Sequence, residues 1–183
     1  MIKETSFLDA LLVCPLCGGT VTNEADRYCC GGCGGGYPIT DGVPRFLMGL
    51  SDREQRVRRS FNLEHSRYQQ SRHLHFTPDV IAQWLRDIQL PAEWFRGKVV
   101  LDAGCGSGRW SYAMAALGAT VVAVDFTEEG AGITRQATAG MDNVAVLQAN
   151  ILRLPFRPNT FDLVVSWGVL HHTPDTRAAF ERL

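Results

Sequence analysis

The chain has no hydrophobic run approaching the roughly eighteen residues that a membrane-spanning helix needs. Its first thirteen residues, MIKETSFLDALLV, contain Lys3, Glu4 and Asp9 and lack the basic-then-apolar order of a secretory signal, so the expectation is a cytoplasmic protein. No charge of one sign prevails: 18 Lys and Arg against 19 Asp and Glu leave a net charge of −1, which gives no global reason to expect nucleic acid as a partner. Charged residues make up 20% and apolar residues 45%, values that exclude disordered and fibrous classes. Cysteine is nearly absent from most of the chain, since five of the six lie between Cys14 and Cys33 and only Cys105 stands apart. A length of 183 residues supports one sizeable core, or a modest core with a small appendage, and the clustered cysteines favour the second.

What is present is organised around VVLDAGCGSGRW, Val99 to Trp110. An apolar run, Val99 to Leu101, reads as a buried parallel strand, and Gly104, Gly106 and Gly108 turn the chain sharply into a helix. Gly104 and Gly106 let the backbone approach a ligand where a Cβ would collide, and the N–H groups near Gly108 favour an anionic group. The G-x-G-x-G spacing, with Arg109 and Trp110 following, lacks the last glycine of a dinucleotide fingerprint. Asp102, at the strand's end, would repel a pyrophosphate but can attract an ammonium group. A second strand, Thr120 to Val124, ends in Asp125, which can accept both ribose hydroxyls; Phe126 can lie against an adenine.

These residues resemble the first motifs of class I S-adenosylmethionine-dependent methyltransferases, with Asp102, Gly104, Gly106 and Gly108 matching the glycine turn that encloses Cys105. The resemblance implies an α/β, Rossmann-like sheet and S-adenosylmethionine as cofactor. In that family an acid after the third strand, here Val144 to Leu147, commonly meets the adenine amine, and the next backbone N–H reaches a ring nitrogen. This chain has Asn150 followed by Ile151, and the amide oxygen of Asn150 can still accept from the amine. Phe161 to Ser166 reads as a fourth strand, apolar at its centre and buried on both faces. The following Trp167-Gly168-Val169-Leu170-His171-His172-Thr173-Pro174-Asp175 resembles the family's post-strand motif, and residues 166–172 are expected to border the methyl group at the switch point between the first and fourth strands. Trp167 is counted with the cofactor residues, and His171 and His172 are the available catalytic bases or acceptor-orienting groups.

Cys14-Pro-Leu-Cys17-Gly-Gly and Cys30-Gly-Gly-Cys33-Gly-Gly are two C-x-x-C knuckles whose glycines let backbone N–H groups turn toward sulfur. Cys14, Cys17, Cys30 and Cys33 suit a structural zinc with no open coordination position; a disulfide pair and a redox site are the competing readings. Cys29 could replace Cys30, although only Cys30 keeps the two-residue spacing. With YPI and DGVP behind the cysteines, a turn at Asp41-Gly42 and an exit through Pro44, residues 8 to 48 resemble the zinc ribbon of tRNA methyltransferase-activating subunits.

The expected organisation is a zinc ribbon over 1–50, connecting or lid helices over 51–97 and the cofactor-binding core over 98–183. In the middle segment Phe61 and Tyr68 suggest an apolar stripe on a helix rich in arginine, and a lid would bring Tyr68, Arg67 or Arg72 to an anionic substrate. His73 and His75 could share a metal or stand exposed. Thr77-Pro78 reads as a helix start, with Val80, Ile81, Trp84, Leu85 and Ile88 on the core side. A complete domain of the resembled family would carry about three further strands, so the expected order 3-2-1-4 leaves the fourth strand at an edge, open to a protein partner or self-association. Either the chain is truncated, or another chain supplies the cover. The leading functional expectation is a zinc-ribbon-bearing methyltransferase acting on a small-molecule O, N or C acceptor. The alternatives are a non-catalytic cofactor-binding or partner-binding subunit and, third, a nicotinamide oxidoreductase, which the glycine spacing and Asp102 fit poorly.

Overall fold

The structure, a computed structural model, describes residues 6–68 and 77–183. The expectations placed on Arg72, His73, His75 and the side chain of Tyr68 lie outside the described residues. The last four strands, β5 (Val99–Ala103), β6 (Thr120–Asp125), β7 (Val144–Ala149) and β8 (Leu163–Val165), are parallel in the order β7-β6-β5-β8. This is the expected 3-2-1-4 arrangement of a Rossmann-like α/β sheet. Their sequences alternate between two apolar faces with period two: Leu101, Val122, Val124 and Leu147 point one way, and Val100, Val121, Ala123 and Val146 the other.

The second face is covered by helices. They are α3 (Pro78–Ile88), α4 (Arg109–Ala116) and α5 (Glu128–Ala137), with a 3-10 turn at Ala92–Phe95. Thr77 caps α3 by accepting from the Val80 N–H at 3.4 Å, with Pro78 in its first turn, and α3 buries Trp84 against the ring of Phe95. Thr127 caps α5 through Gly130 N–H at 3.0 Å.

The first face is covered differently. After α1 (Ser6–Leu11), four short strands, β1 (Val21–Asn23), β2 (Arg27–Cys30), β3 (Gly36–Thr40) and β4 (Val43–Phe46), form an antiparallel meander. Asp41 and Gly42 both have positive φ, 52° and 70°, which is what a two-residue hairpin turn between right-twisted strands demands. Pro44 is not an exit from the meander, as the sequence suggested, but lies inside β4 opposite Ile39. It has no N–H to donate, and the parallel ladder joining β4 to β7 begins one residue later, at Arg45 opposite Gln148. The result is one sheet of eight strands among the described residues, β1-β2-β3-β4-β7-β6-β5-β8. Leu8, Leu12, Tyr28, Tyr37 and Phe46 are buried in the same cluster as Leu101, Val124 and Leu147, so the cysteine-rich segment and the parallel sheet share a core.

The fourth strand corrects one expectation. Leu163, Val164 and Val165 are each half-buried rather than enclosed on both faces, because β8 has β5 on one side and, among the described residues, no strand on the other.

Phe46, 2% exposed and stacked on Tyr37 at 4.6 Å, ties the two parts together. Phe46→Ala is expected to cost about 3–5 kcal/mol in urea unfolding. Trp84, Trp94 and Trp110 pack on the opposite face, so their fluorescence and a far-ultraviolet signal should shift in one coincident transition; a separate early phase would mean two cores.

Candidate functional site

A cavity of about 440 Å³ opens beyond the carboxyl ends of β5, β6 and β7. Eight residues expected from the sequence line it: Gly104, Gly106, Asp125, Phe126, Asn150, Ile151, Trp167 and His172. Glu54, Val57, Phe61, His65 and Arg109 also line it and were not expected there.

The glycine turn is folded by the neighbouring strand. Gly104 and Cys105 both donate N–H to the Val124 carbonyl, at 2.7 and 2.9 Å. Gly104, Gly106 and Gly108 have φ of 91°, 53° and 81°, a region that side chains disfavour. A Cβ on Gly104 would also collide with both methyl carbons of Val169, so the loop after β8 closes directly on this turn. Asp125 locks the arrangement: one carboxylate oxygen accepts from Gly106 N–H at 2.8 Å, and the other from Thr127 N–H at 2.8 Å and the Thr127 hydroxyl at 2.5 Å. Three of its about four acceptor positions are therefore occupied, leaving room for one ligand hydroxyl rather than two.

Asp102, Cys105, Gly108 and His171 do not line the cavity. Asp102 is 1% exposed beneath the turn and accepts from the Ser111 hydroxyl at 2.6 Å. Burial pushes its carboxyl up to about 6; the Ser111 bond opposes the shift and the nearby Asp125 adds to it. Cys105 is buried against the Thr134 hydroxyl, and burial drives its thiol well above the ordinary range. Gly108 permits close packing of α4 on α5, since a Cβ there would lie 3.0 Å from the Thr134 Cα. His171 is exposed and rests on the ring of His172, 3.8 Å between centroids.

The unexpected wall comes from α2 (Asp52–Tyr68). Ser51 and Glu54 form a reciprocal capping box: Ser51 N–H and hydroxyl donate to Glu54 Oε2 at 2.8 and 2.7 Å, and Glu54 N–H donates back to Ser51 Oγ at 3.3 Å. Glu54 Oε1 accepts from Asn150 Nδ2 at 2.7 Å, while Asn150 Oδ1 accepts from Leu152 N–H at 2.9 Å. The amide oxygen of Asn150 is thus already engaged. Burial pushes the Glu54 carboxyl up, but the Ser51 and Asn150 bonds outweigh it and hold the group below the usual carboxylate range. Farther along α2, Asn62 accepts from Glu129 N–H at 3.2 Å and Arg58 pairs with Glu128 at 3.0 Å, so the helix is seated on α5. The capping signature Ser51-x-x-Glu54 was the readable signal for this element. Arg67 is exposed and outside the wall; Phe61 and His65 take the position expected of a lid.

Around the mouth, Phe61 meets His172 edge-on at 4.8 Å, and His65 comes within 3.3 Å of where a Gly106 Cβ would stand. Trp167, 52% exposed, meets Trp110 at 5.8 Å, and Trp110 stacks on Trp84 at 5.0 Å. The Arg109 guanidinium lies 5.1 Å from the Trp110 ring; burial lowers its pKa without discharging it.

Away from the cavity, the sulfur atoms of Cys14, Cys17, Cys30 and Cys33 all lie within 4.8 Å of one another. Cys14 and Cys33 are 3.6 Å apart and Cys17 and Cys30 3.5 Å apart, near the roughly 3.8 Å that tetrahedral zinc–thiolate bonds impose. Cys29 stands outside, its thiol on Glu24 at 3.1 Å. The Tyr37 hydroxyl contacts Cys14 sulfur at 2.9 Å.

Residues 100–183 match the family described as Methyltransferase domain. A demethylmenaquinone methyltransferase of Staphylococcus aureus is 34% identical over 91 residues, which is 48% of this chain and 38% of that relative's length. The magnesium protoporphyrin IX methyltransferase of Synechocystis PCC 6803, solved with bound S-adenosylmethionine, superposes with a TM-score of 0.53 at 22% identity, covering 74% of this chain and 72% of its own. A structure from Methanococcus maripaludis described as an S-adenosyl-L-methionine-dependent methyltransferase gives 0.51 at 18% identity, covering 74% and 60%. The two solved structures establish the fold, and no helix among the described residues is long and apolar enough to cross a membrane.

Asp102 generates a pH test. Its folded pKa lies above the ordinary 3.8, so ionisation is harder in the folded chain, and stability falls as pH rises from about 4 through about 6. Asp102→Asn, which still accepts from Ser111, should raise stability by about 1–3 kcal/mol at pH 8 and little at pH 4. Equal gains at both pH values in thermal melts would contradict a buried, proton-retaining acid.

Proposed function

We propose that this chain, whose residues 100–183 match a methyltransferase domain, binds S-adenosylmethionine in the cavity and transfers its methyl group to a small-molecule O, N or C acceptor. The observation that carries the reading is the Asp125 clamp: a carboxylate bonded to Gly106 N–H with one acceptor position left, in the wall of a cavity that the glycine turn also lines. That combination suits a ribose hydroxyl beside a close-approaching backbone. Phe126 and Ile151 offer apolar flanks for a flat base, and Trp167 and His172 also line the cavity.

When bound, the sulfonium supplies an already activated methyl group. The chain's own task is to align the acceptor and exclude water, which in such transfers provides most of the rate. Phe61 and His65 close the cavity from α2, and Val169 closes it from the loop after β8. His172, the member of the pair that lines the wall, orients the acceptor or takes its proton; His171 supports that ring from outside. Cys14, Cys17, Cys30 and Cys33 hold a structural zinc with no position free for chemistry. A second reading is a non-catalytic cofactor-binding subunit that works with a partner.

Calorimetry with S-adenosylmethionine, S-adenosylhomocysteine and NAD should show saturable binding of the first two only, and turnover on an acceptor panel separates enzyme from subunit. Asp125→Ala should weaken cofactor binding by about 1–3 kcal/mol; unchanged affinity would remove Asp125 from the site. Stripping metal with a chelator should expose the amides of β2 and β3 to exchange before those of β5 and β6. Intact protection in β2 and β3 would reject the zinc.

A further inference from the structure

The cavity contains an acid that the parallel sheet does not supply. Glu54 reaches it from α2, is 6% exposed, and stands 2.7 Å from the Asn150 amide at the end of β7. Its carboxylate has about four acceptor positions, of which Ser51 N–H, the Ser51 hydroxyl and Asn150 Nδ2 fill three. The remaining one is on the oxygen shared with Asn150. Asn150 is the weaker acceptor of the two, a neutral amide whose oxygen already takes the Leu152 N–H on one of its two lone pairs. The two aligned groups therefore present a ligand with a negative acceptor. Beside them Phe126, whose carbonyl accepts from Gln148 Nε2 at 3.1 Å, and Ile151 provide apolar walls for a flat ring.

We propose that Glu54 is the specificity-determining residue for the base of the bound nucleoside, accepting from an exocyclic amine and rejecting a ring that carries a carbonyl there. The inference rests on the proposed cofactor reading and adds to it the group that selects the base. A carbonyl at that position would bring two acceptors together with no proton between them, and Glu54, only 6% exposed, has little access to water to make up the loss.

The pair also predicts its own rescue. In Glu54→Gln the amide oxygen remains with Ser51, so the amide nitrogen faces Asn150 Nδ2, donor against donor, and turns a donor toward the cavity. In the double variant E54Q/N150D that nitrogen donates to the carboxylate introduced at position 150, whose other oxygen keeps the Leu152 N–H. The negative acceptor is thereby restored one residue away in space.

The test compares S-adenosylhomocysteine with S-inosylhomocysteine, which carries a carbonyl in place of the amine and a proton on the neighbouring ring nitrogen, by calorimetry on the zinc-loaded full chain. The natural chain should prefer the adenosyl compound by about tenfold or more. E54Q should bring that ratio near one or invert it, and E54Q/N150D should restore it. A ratio unchanged in E54Q, or one that E54Q/N150D does not restore although it melts like the natural chain, would overturn the role of Glu54. If E54Q fails to fold, Glu54→Asp decides: it keeps the charge but draws it back by one methylene, so the ratio should fall, and an unchanged ratio would overturn the role of Glu54. Absence of binding by either compound to the natural chain overturns the cofactor reading itself, whereas binding of both without preference overturns this inference alone.

Discussion

The Asp125 carboxylate accepts from Gly106 on one oxygen and from Thr127 twice on the other, and so joins three things that would otherwise drift apart: the glycine turn after β5, the end of β6 and the start of α5. Charge-assisted bonds to backbone N–H groups are among the stronger ones available, and this group is almost wholly removed from water. The turn it holds is the floor of the cavity. The loop after β8 rests on that turn through Val169, and α2 rests on it through His65. Much of the cavity wall therefore inherits its position from one side chain.

The two faces of the sheet are closed by different means. Helices α3, α4 and α5 cover one, as in any doubly wound sheet, while α1 and the four-stranded meander fill the other with Tyr28, Tyr37 and Phe46. The meander also extends the sheet through β4, whose Arg45 donates to the buried Gln148 at 3.1 Å. Gln148 in turn donates to Phe126, so a contact made by the cysteine-rich segment reaches a residue of the cavity in two hydrogen bonds. The segment is thus part of the architecture that shapes the site rather than an attachment to it.

The parallel strands and the glycine turn were legible because each has a local signature, continuous apolar runs and glycines where φ must be positive, whereas the order of the strands was implied by the family resemblance. The four clustered cysteines were legible from spacing alone, and the structure separates Cys30 from Cys29, which adjacent sulfurs in sequence leave open. The β4–β7 ladder was not legible, since its partners are about a hundred residues apart and Pro44 reads as a terminator when seen alone. Asp102 looked like a ligand group because strand ends usually face the cavity; the Ser111 hydroxyl, one α4 turn beyond the glycines, draws it inward instead. Glu54 was hidden by composition. An arginine-rich stretch suggests a solvated helix, and only the capping box at its start reveals that the first turn is buried.

The pairing of β4 with β7 also fixes an order of events as the chain leaves the ribosome. Cys14 and Cys33 emerge early and are separated by a short loop, so the antiparallel pairs of the meander can close while the remaining chain is still being made. The open side of β4, with its backbone groups unpaired, has to wait until Ala149 has been synthesised, and Glu54 waits for Asn150 over nearly the same interval. During that wait β4 is an exposed edge, and it becomes an interior strand only when the cavity it helps to frame is itself completed.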